Sequence, residues 1–264
     1  MAEPAVSVLM AVRDGLPWVR EAVASVLTQT LAALELVVVD DGSTDGTGEW
    51  LEGVADARLR LARQSPAGLT AALARASALA RAPLLARLDA DDAALPARLE
   101  LQRVFLGAHP EVGLLGTAAR EVDADGHELR TVRPPAEDAA LRHLLVRLNP
   151  FVHSSVMMRR GALDEAGGYG SAPPVAQDYD LWMRMSRVTR LACLSEVLVV
   201  RRLLPGRVGA RRDGDRLRTE ARVRWRAVRD GQYPWWCAVF ALRPALALAL
   251  PPAVRRAVRR AVGA

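Results

Sequence analysis

Glu35-Leu36-Val37-Val38-Val39-Asp40-Asp41-Gly42-Ser43 is the stretch that decides the fold. A half-exposed strand alternates apolar and polar residues, whereas this run is continuously aliphatic and then stops at once. That is the pattern of a strand buried on both faces of a parallel sheet, ended by Asp-Gly-Ser turn chemistry. Just upstream, Val6 to Val12 has the same character. Between the two, Pro17 suits a first helical turn, and Val19, Val23, Val26 and Leu27 recur at helical spacing.

The alternation continues downstream. The spacing predicts a helix from about Gly46 to Val54, a short strand over Arg58 to Arg63 and an alanine-rich helix over Ala67 to Arg81. Pro83 then precedes a strand over Leu84 to Leu88, Pro96 opens a helix that ends near His109-Pro110, and Val112 to Thr117 is a further strand. Five strands alternating with four helices predict an α/β fold, a twisted and mostly parallel sheet with helices on both faces. Beyond residue 117 the pattern is less regular. Asp125-Gly126 marks a hairpin or tight turn; Ala136 to Leu148 and Gln177 to Arg187 are expected helices; Ser155 to Met158 is an expected strand; and a basic helix starts near Arg211.

Charge divides the 264-residue chain unevenly. All 36 basic residues are arginine, a compositional bias that discounts individual arginines as signals. Residues 201–264 hold 16 of them against Asp213, Asp215, Glu220 and Asp230, a balance of +12, while the first 200 residues carry −6. An acidic body with a basic tail argues against a nucleic-acid groove and for a catalytic body whose tail is drawn to an anionic membrane surface. A solvated arginine-rich helix is the plainer reading of the same charges. Trp235 to Val254 is apolar for about the length of a membrane span, but Arg243-Pro244 and Pro251-Pro252 interrupt it. Tyr233, Trp235 and Trp236 at one end and Arg255, Arg256, Arg259 and Arg260 at the other fit an interfacial segment. Cys193 and Cys237 are too few for a disulfide framework or a zinc site, and no signal peptide is read at the start, so the expected location is cytoplasmic, with peripheral contact on the inner face of the membrane.

Ligands of open α/β sheets bind outside the carboxyl ends of the strands, and two acidic clusters stand there. Asp89, Asp91 and Asp92, flanking Ala90, put three carboxylates within four residues; their repulsion is relieved by a hard divalent cation, Mg²⁺ or Mn²⁺, completed by substrate phosphates. Helix capping by Asp89 or Asp92 accounts for one acid but not for three. Asp40 and Asp41 could accept hydrogen bonds from a base and ribose, or simply form a strand-end turn. The chain has no Gly-x-Gly-x-x-Gly after its first strand, no Gly-Lys-Ser/Thr and no Gly-x-Ser-x-Gly, which disfavours dinucleotide oxidoreductases, P-loop NTPases and α/β-hydrolases.

These residues, taken with Pro96-Ala97-Arg98-Leu99-Glu100, Gly113-Leu114-Leu115-Gly116-Thr117, His153-Ser154-Ser155-Val156, Gly167-Gly168-Tyr169 and Gln177-Asp178-Tyr179-Asp180-Leu181-Trp182, resemble the family 2 inverting glycosyltransferases of GT-A fold, of the bacterial cell-surface polysaccharide type. The resemblance covers roughly residues 5–206. It implies a nucleotide-sugar donor, commonly a UDP-sugar, and a carbohydrate or lipid-linked acceptor. It implies a catalytic domain over 1–210, with a nucleotide-binding half over 1–117 and an acceptor half over 118–210, followed by a tail over 211–264. By resemblance, Ala11, Arg13, Asp40, Asp41, Asp89 and Ala90 line the donor nucleotide, and Asp91, with Asp89, holds the metal. Asp178 stands where the family has its general base, and Asp180, two residues along the same helix, points elsewhere. His153, Arg159 or Arg160, Trp182 and Arg202 are candidate acceptor or phosphate contacts. For Trp182 a place in the core beneath the acidic loop is the competing reading, and for His153 a satisfied structural role.

Two departures stand out. Gln177 replaces a glutamate common before the base, removing a neighbouring negative charge but not the base. Leu204 replaces a histidine that in relatives reaches the metal or diphosphate, leaving water and phosphates, or Arg202 or Arg207, to complete the site. The rival readings are a sugar-phosphate nucleotidyltransferase, for which Arg13-Asp14-Gly15-Leu16 is a poor signature loop, and a non-catalytic membrane-surface module, against which Asp91 and Asp178 stand together.

Overall fold

Strands β1 (Val6–Val12) and β2 (Leu34–Asp40) are buried along all seven residues each, as their unbroken apolar character requires. The computed structural model describes residues 3–170, 173, 175–204 and 213–249. Around the first two strands stand α1 (Trp18–Leu27), α2 (Thr47–Glu52), β3 (Leu59–Arg63), α3 (Leu69–Leu79), β4 (Leu84–Arg87), β5 (Ala93–Ala94), α4 (Arg98–Ala108) and β6 (Val112–Val122). The second half adds β7 (Glu128–Val132), α5 (Asp138–Leu145), β8 (Met157–Arg159), α6 (Arg160–Glu165), α7 (Gln177–Val188), β9 (Arg190–Arg202), α8 (Asp213–Arg229) and α9 (Val239–Ala249). The expected βα alternation of the first 117 residues is present, and β6 and β7 form the hairpin marked by Asp125-Gly126.

Among the described residues nine strands join one sheet, ordered β3-β2-β1-β4-β8-β6-β9-β5, with β7 on β6. Neighbours from β3 through β4 are parallel, β8 runs antiparallel between β4 and β6, and β6 and β9 are parallel again. Alternate residues feed two cores: Leu9, Val37, Val39 and Leu85 pack on one face, and Val8, Met10, Val38 and Ala86 on the other. The first core takes in Trp182 and Tyr179 of α7 and Val223 and Ala227 of α8, so the first helix of the basic tail packs on the body. Among the described residues no helix is long and apolar enough to cross a membrane. The expected start of the basic helix at Arg211, the Pro251-Pro252 break, Arg207 and the four terminal arginines lie outside the described residues.

Beyond the short additions β5 and α6, two elements depart from the sequence expectation. The expected strand over Ser155 to Met158 is a 3-10 turn, His153–Ser155, followed by β8 from Met157. The 13-residue β9 is absent from the sequence reading because its apolar run is broken: Ser195 and Glu196 bulge out, Thr117 pairing with Leu194 and Ala118 with Val197. A bulge shifts the face each side chain takes and erases the period on which sequence reading depends.

At the edge of the sheet away from the acidic clusters, Glu35 is almost fully buried. Its carboxylate accepts Ser7 Oγ at 2.6 Å, the Arg81 amide at 2.6 Å and Arg81 Nε at 2.8 Å. Burial pushes this carboxyl up, but the bonds from Ser7 and Arg81 outweigh it and hold it below the ordinary range. Stability from Glu35 is therefore present above the usual carboxyl pKa and lost as pH falls through the lowered one. Glu35→Ala orphans a buried hydroxyl and a main-chain amide, each worth about 1–3 kcal/mol, so urea unfolding should show a loss of about 2–4 kcal/mol.

Candidate active site

The carboxyl ends of β1, β2 and β4 form one rim, and the antiparallel direction of β8 brings the turn before it, His153–Ser155, to the same place. The turn is braced from beneath. Arg98, fully buried, donates to the carbonyls of Arg87 (2.8 Å) and Val156 (3.1 Å), and Gln102 donates to the carbonyl of Ser155 at 2.9 Å.

Asp89, Asp91 and Asp92 bring carboxylate oxygens within 4.8 Å of one another. Ser154 Oγ sits between two of them, 2.9 Å from Asp89 Oδ2 and also bonded to Asp92 Oδ2, while accepting the Asp89 amide at 3.0 Å. Asp89 is ion-paired with the buried Arg87 guanidinium and remains partly open to solvent. Asp92 is almost fully buried and accepts the Arg202 amide at 2.8 Å. The three acids thus differ in office: Asp92 ties the loop to β9 and to the turn, and Asp89 and Asp91 line the opening. Carboxylate oxygens gathered this closely, one acid buried and two partly open, suit a small hard cation such as Mg²⁺ or Mn²⁺. A second group, Asp123, Asp125 and His127, is the exposed hairpin turn, where Asp123 accepts the amides of Asp125 and His127.

Arg202, a candidate phosphate contact in the sequence reading, is turned into the fold. Its guanidinium is buried, stacked 4.3 Å from the Trp18 ring and bonded to the Asp91 carbonyl and Glu21 at 2.9 Å each. It braces the acidic loop from behind. Arg159 and Arg160 are also corrections. Because β8 is antiparallel to β4, Arg159 lies opposite Leu84 at the far edge of the sheet. There it bonds carbonyls at the end of α4, Leu106 and His109, and that of Val112, while Arg160 bonds Ser77, Ala80 and Ala82 at the end of α3. Both satisfy helix-end carbonyls, and neither reaches a phosphate at the rim. Trp182 is fully buried and packs edgewise on Phe151 and His153, with centroids 6.2 and 5.9 Å away; it is core and offers no sugar platform.

Asp178 lies in the first turn of α7, where the helix dipole favours a carboxylate. Its Oδ2 accepts Asn149 Nδ2 at 2.7 Å. Ala176, directly before the helix, holds φ +56°, a left-handed backbone costing about 1–2 kcal/mol for a residue with a Cβ. Asp180 turns away, as expected, into ion pairs with Arg184 (2.8 Å) and Arg226. His153 is bonded to the Tyr169 hydroxyl at 3.1 Å. Burial, then the Arg87 charge, pushes its imidazole down to about 4, although Asp89 and Asp178 both pull the other way. The ring is therefore neutral near pH 7 and stands within the field of both carboxylates.

The other acidic pair shapes the mouth. Asp41 accepts Gln64 Nε2 and the amides of Ala67 and Gly68, each at 2.7 Å, which fills about three of its four acceptor positions and holds the 64–68 loop. Asp40 accepts the Ser43 amide at 3.0 Å and lies 3.3 Å from Arg63 Nε. Gly42, at φ +77°, must be glycine, since a Cβ there would stand 2.6 Å from Pro66 Cδ. Ala11 is buried at the end of β1, Ala90 is half-buried, and Arg13 is exposed beside Asp14. Ser154, Asn149, Arg87 and Tyr169 were not singled out from sequence. Ser154 and Tyr169 lie inside motifs that the resemblance quotes, but Asn149, in an irregular loop, carries no periodic signal.

A mixed α/β sheet with an acidic rim at its carboxyl edge defines the class, a glycosyltransferase of GT-A architecture. The chain belongs to glycosyl transferase family 2, whose model matches residues 7–167. The amylovoran biosynthesis glycosyltransferase AmsE of Erwinia amylovora is 33% identical over 202 residues, 74% of each chain. Among solved structures, S. aureus TarS 1–349 in complex with UDP-GlcNAc superposes with a TM-score of 0.67 at 19% identity, over 83% of this chain and 66% of that one. The Pyrobaculum calidifontis mannosyltransferase PcManGT, in complex with GDP-Man and Mn²⁺, gives 0.63 at 23% identity, over 99% of this chain and 81% of that one. The chain thus spans about two thirds of TarS 1–349.

Proposed function

We propose that this chain transfers a sugar from a nucleoside-diphosphate sugar, a UDP-sugar, to a hydroxyl of a glycan or lipid-linked acceptor, with inversion, in bacterial cell-surface polysaccharide assembly. The observation that carries the reading is the pair of carboxylate centres on one rim: the Asp89/Asp91/Asp92 cluster and Asp178, both felt by His153. The UDP-GlcNAc and GDP-Man bound to the structural neighbours, and the polysaccharide named for AmsE, support the donor class and pathway type.

Asp91 and Asp89 would hold Mg²⁺ or Mn²⁺, which when bound neutralises charge on the departing diphosphate. Ala11, Arg13 and Ala90 would line the nucleotide, and the loop held by Asp41 would close over the base, with one acceptor position of Asp41 left for an imide N–H. Asp178 would take the proton of the acceptor hydroxyl as it attacks the anomeric carbon opposite the nucleotide. The neutral imidazole of His153 would offer a hydrogen bond in place of a charge. The later histidine absent from this chain is not replaced by Arg202, which is occupied behind the loop.

A panel of nucleotide sugars tests the reading. The expected result is nucleoside-diphosphate release with Mg²⁺ or Mn²⁺, lost with chelator, and a product whose anomeric configuration is opposite to the donor's. Pyrophosphate release from a nucleoside triphosphate and a sugar phosphate would instead make the chain a nucleotidyltransferase.

A further inference from the structure

The polypeptide after α7 carries a row of large apolar side chains that the body does not cover. On the 3-10 turn Trp235–Ala238 and on α9, Trp235 is 83% exposed, Val239 55%, Leu242 57% and Leu246 69%. Their spacing of four, three and four residues puts them on one helical face. The opposite face is the packed one: Cys237, Ala241 and Pro244 are buried, and the Arg147 guanidinium lies 5.1 Å over the Phe240 ring. Monomers seldom leave such a contiguous apolar stripe open to water.

The charge around it is net positive: residues 213–249 hold seven arginines against four acids. Arg218, Arg222, Trp225 and Arg229 recur at helical spacing along the exposed side of α8. The carboxylates of this region pair with arginines, Asp213 with Arg216 and Asp215 with Arg218 at 3.0 Å each, Glu220 with Arg224 at 3.2 Å, and Asp230 with Arg229 at 2.9 Å and Arg187 at 3.3 Å, so Arg218 and Arg229 of the exposed row are themselves ion-paired. Residues 201–264 together carry +12.

We propose that Trp235, Val239, Leu242 and Leu246 form an in-plane docking face that seats the protein on an anionic lipid surface. The apolar stripe enters the boundary between headgroups and acyl chains, and the arginines meet the headgroup phosphates. Charge complementarity selects this occupant. A second copy docking through the same face would bring one net-positive segment, +3 over residues 213–249, against another. The helix is placed in the plane of the bilayer because its exposed apolar row lies opposite the face that packs on the body, and among the described residues no helix is long and apolar enough to cross a membrane. The inference stands apart from the catalytic reading, since it uses no residue of the rim.

The test is sedimentation of the full chain with vesicles of phosphatidylglycerol and phosphatidylcholine, against phosphatidylcholine alone. The variant Trp235→Ser/Leu242→Gln/Leu246→Gln replaces only exposed side chains, and circular dichroism checks its fold. The expected result is binding to anionic vesicles that weakens with salt and falls about tenfold in the variant, while rim-dependent donor turnover is unchanged. Wild-type chain left in the supernatant overturns the proposal. So does a variant that binds like wild type, which would assign binding to the arginines alone. A wild-type dimer that the substitutions dissociate, without vesicle binding, would give the stripe to a second copy.

Discussion

Asp178→Asn should leave donor binding intact and lower the transfer rate by about 10²–10⁴-fold, the usual worth of a positioned general base. That range corresponds to about 3–5 kcal/mol of transition-state free energy. The side chain changes by one isosteric group, but a carboxylate oxygen that could accept the acceptor's proton becomes an amide that cannot. The packing of α7 should hold, because Asp178 is only part-buried and bonds to Asn149, while the helix is anchored by its buried Tyr179, Leu181, Trp182, Met183 and Met185. Asp180→Asn is the paired control. It weakens two ion pairs to Arg184 and Arg226, so it should cost stability with much less effect on chemistry. Steady-state turnover and donor affinity, measured separately, decide it: comparable turnover in Asp178→Asn moves the base elsewhere. His153, held near 4, should add no step of its own to the pH–rate profile around neutrality.

The readability of this sequence follows the physics of each element. β1 and β2 are buried on both faces, and seven contiguous residues announce that burial directly. β9 is as central to the sheet, yet its bulge at Ser195 and Glu196 cuts it into two short runs bounded by arginines. Direction is still harder to see. Arg159 follows an apolar run and so looked like a strand-end residue beside the ligand, but the antiparallel pairing of β8 with β4 puts its carboxyl end at the far edge. The same reversal delivers His153 and Ser154 to the rim, so the single strand direction that removes Arg159 also brings those two to the acids. Packing decides Trp182 for its core reading over a sugar platform, and it takes Arg202 away from the phosphate contact the sequence allowed. Each is near the rim in sequence terms, but the core takes the indole and the stack on Trp18 takes the guanidinium. Local pattern reports what a residue can do; only the packed chain decides which partner it meets first.

Asp91→Ala is the other large effect, and it should appear in donor binding before chemistry. Two contacts that hold the loop carrying Asp91 do not use its carboxylate: its carbonyl accepts Arg202, and Asp92 accepts the Arg202 amide. Truncation of the half-buried Asp91 side chain therefore removes the proposed hard oxygen ligand while leaving those two contacts in place. A divalent ion is worth several kcal/mol of charge stabilisation on a diphosphate, so transfer should fall by about 10³-fold and calorimetric donor binding should lose its dependence on Mg²⁺ or Mn²⁺. Asp92→Asn acts differently, since its buried carboxylate holds Ser154 and the Arg202 amide; lower thermal stability should accompany any loss of activity there. Separating the two is the point of the pair. If Asp91→Ala keeps metal-stimulated donor binding while Asp92→Asn loses it with its fold intact, the inner acid is the ligand. Asp91 then takes the lesser part, and the division of labour inferred from burial is reversed.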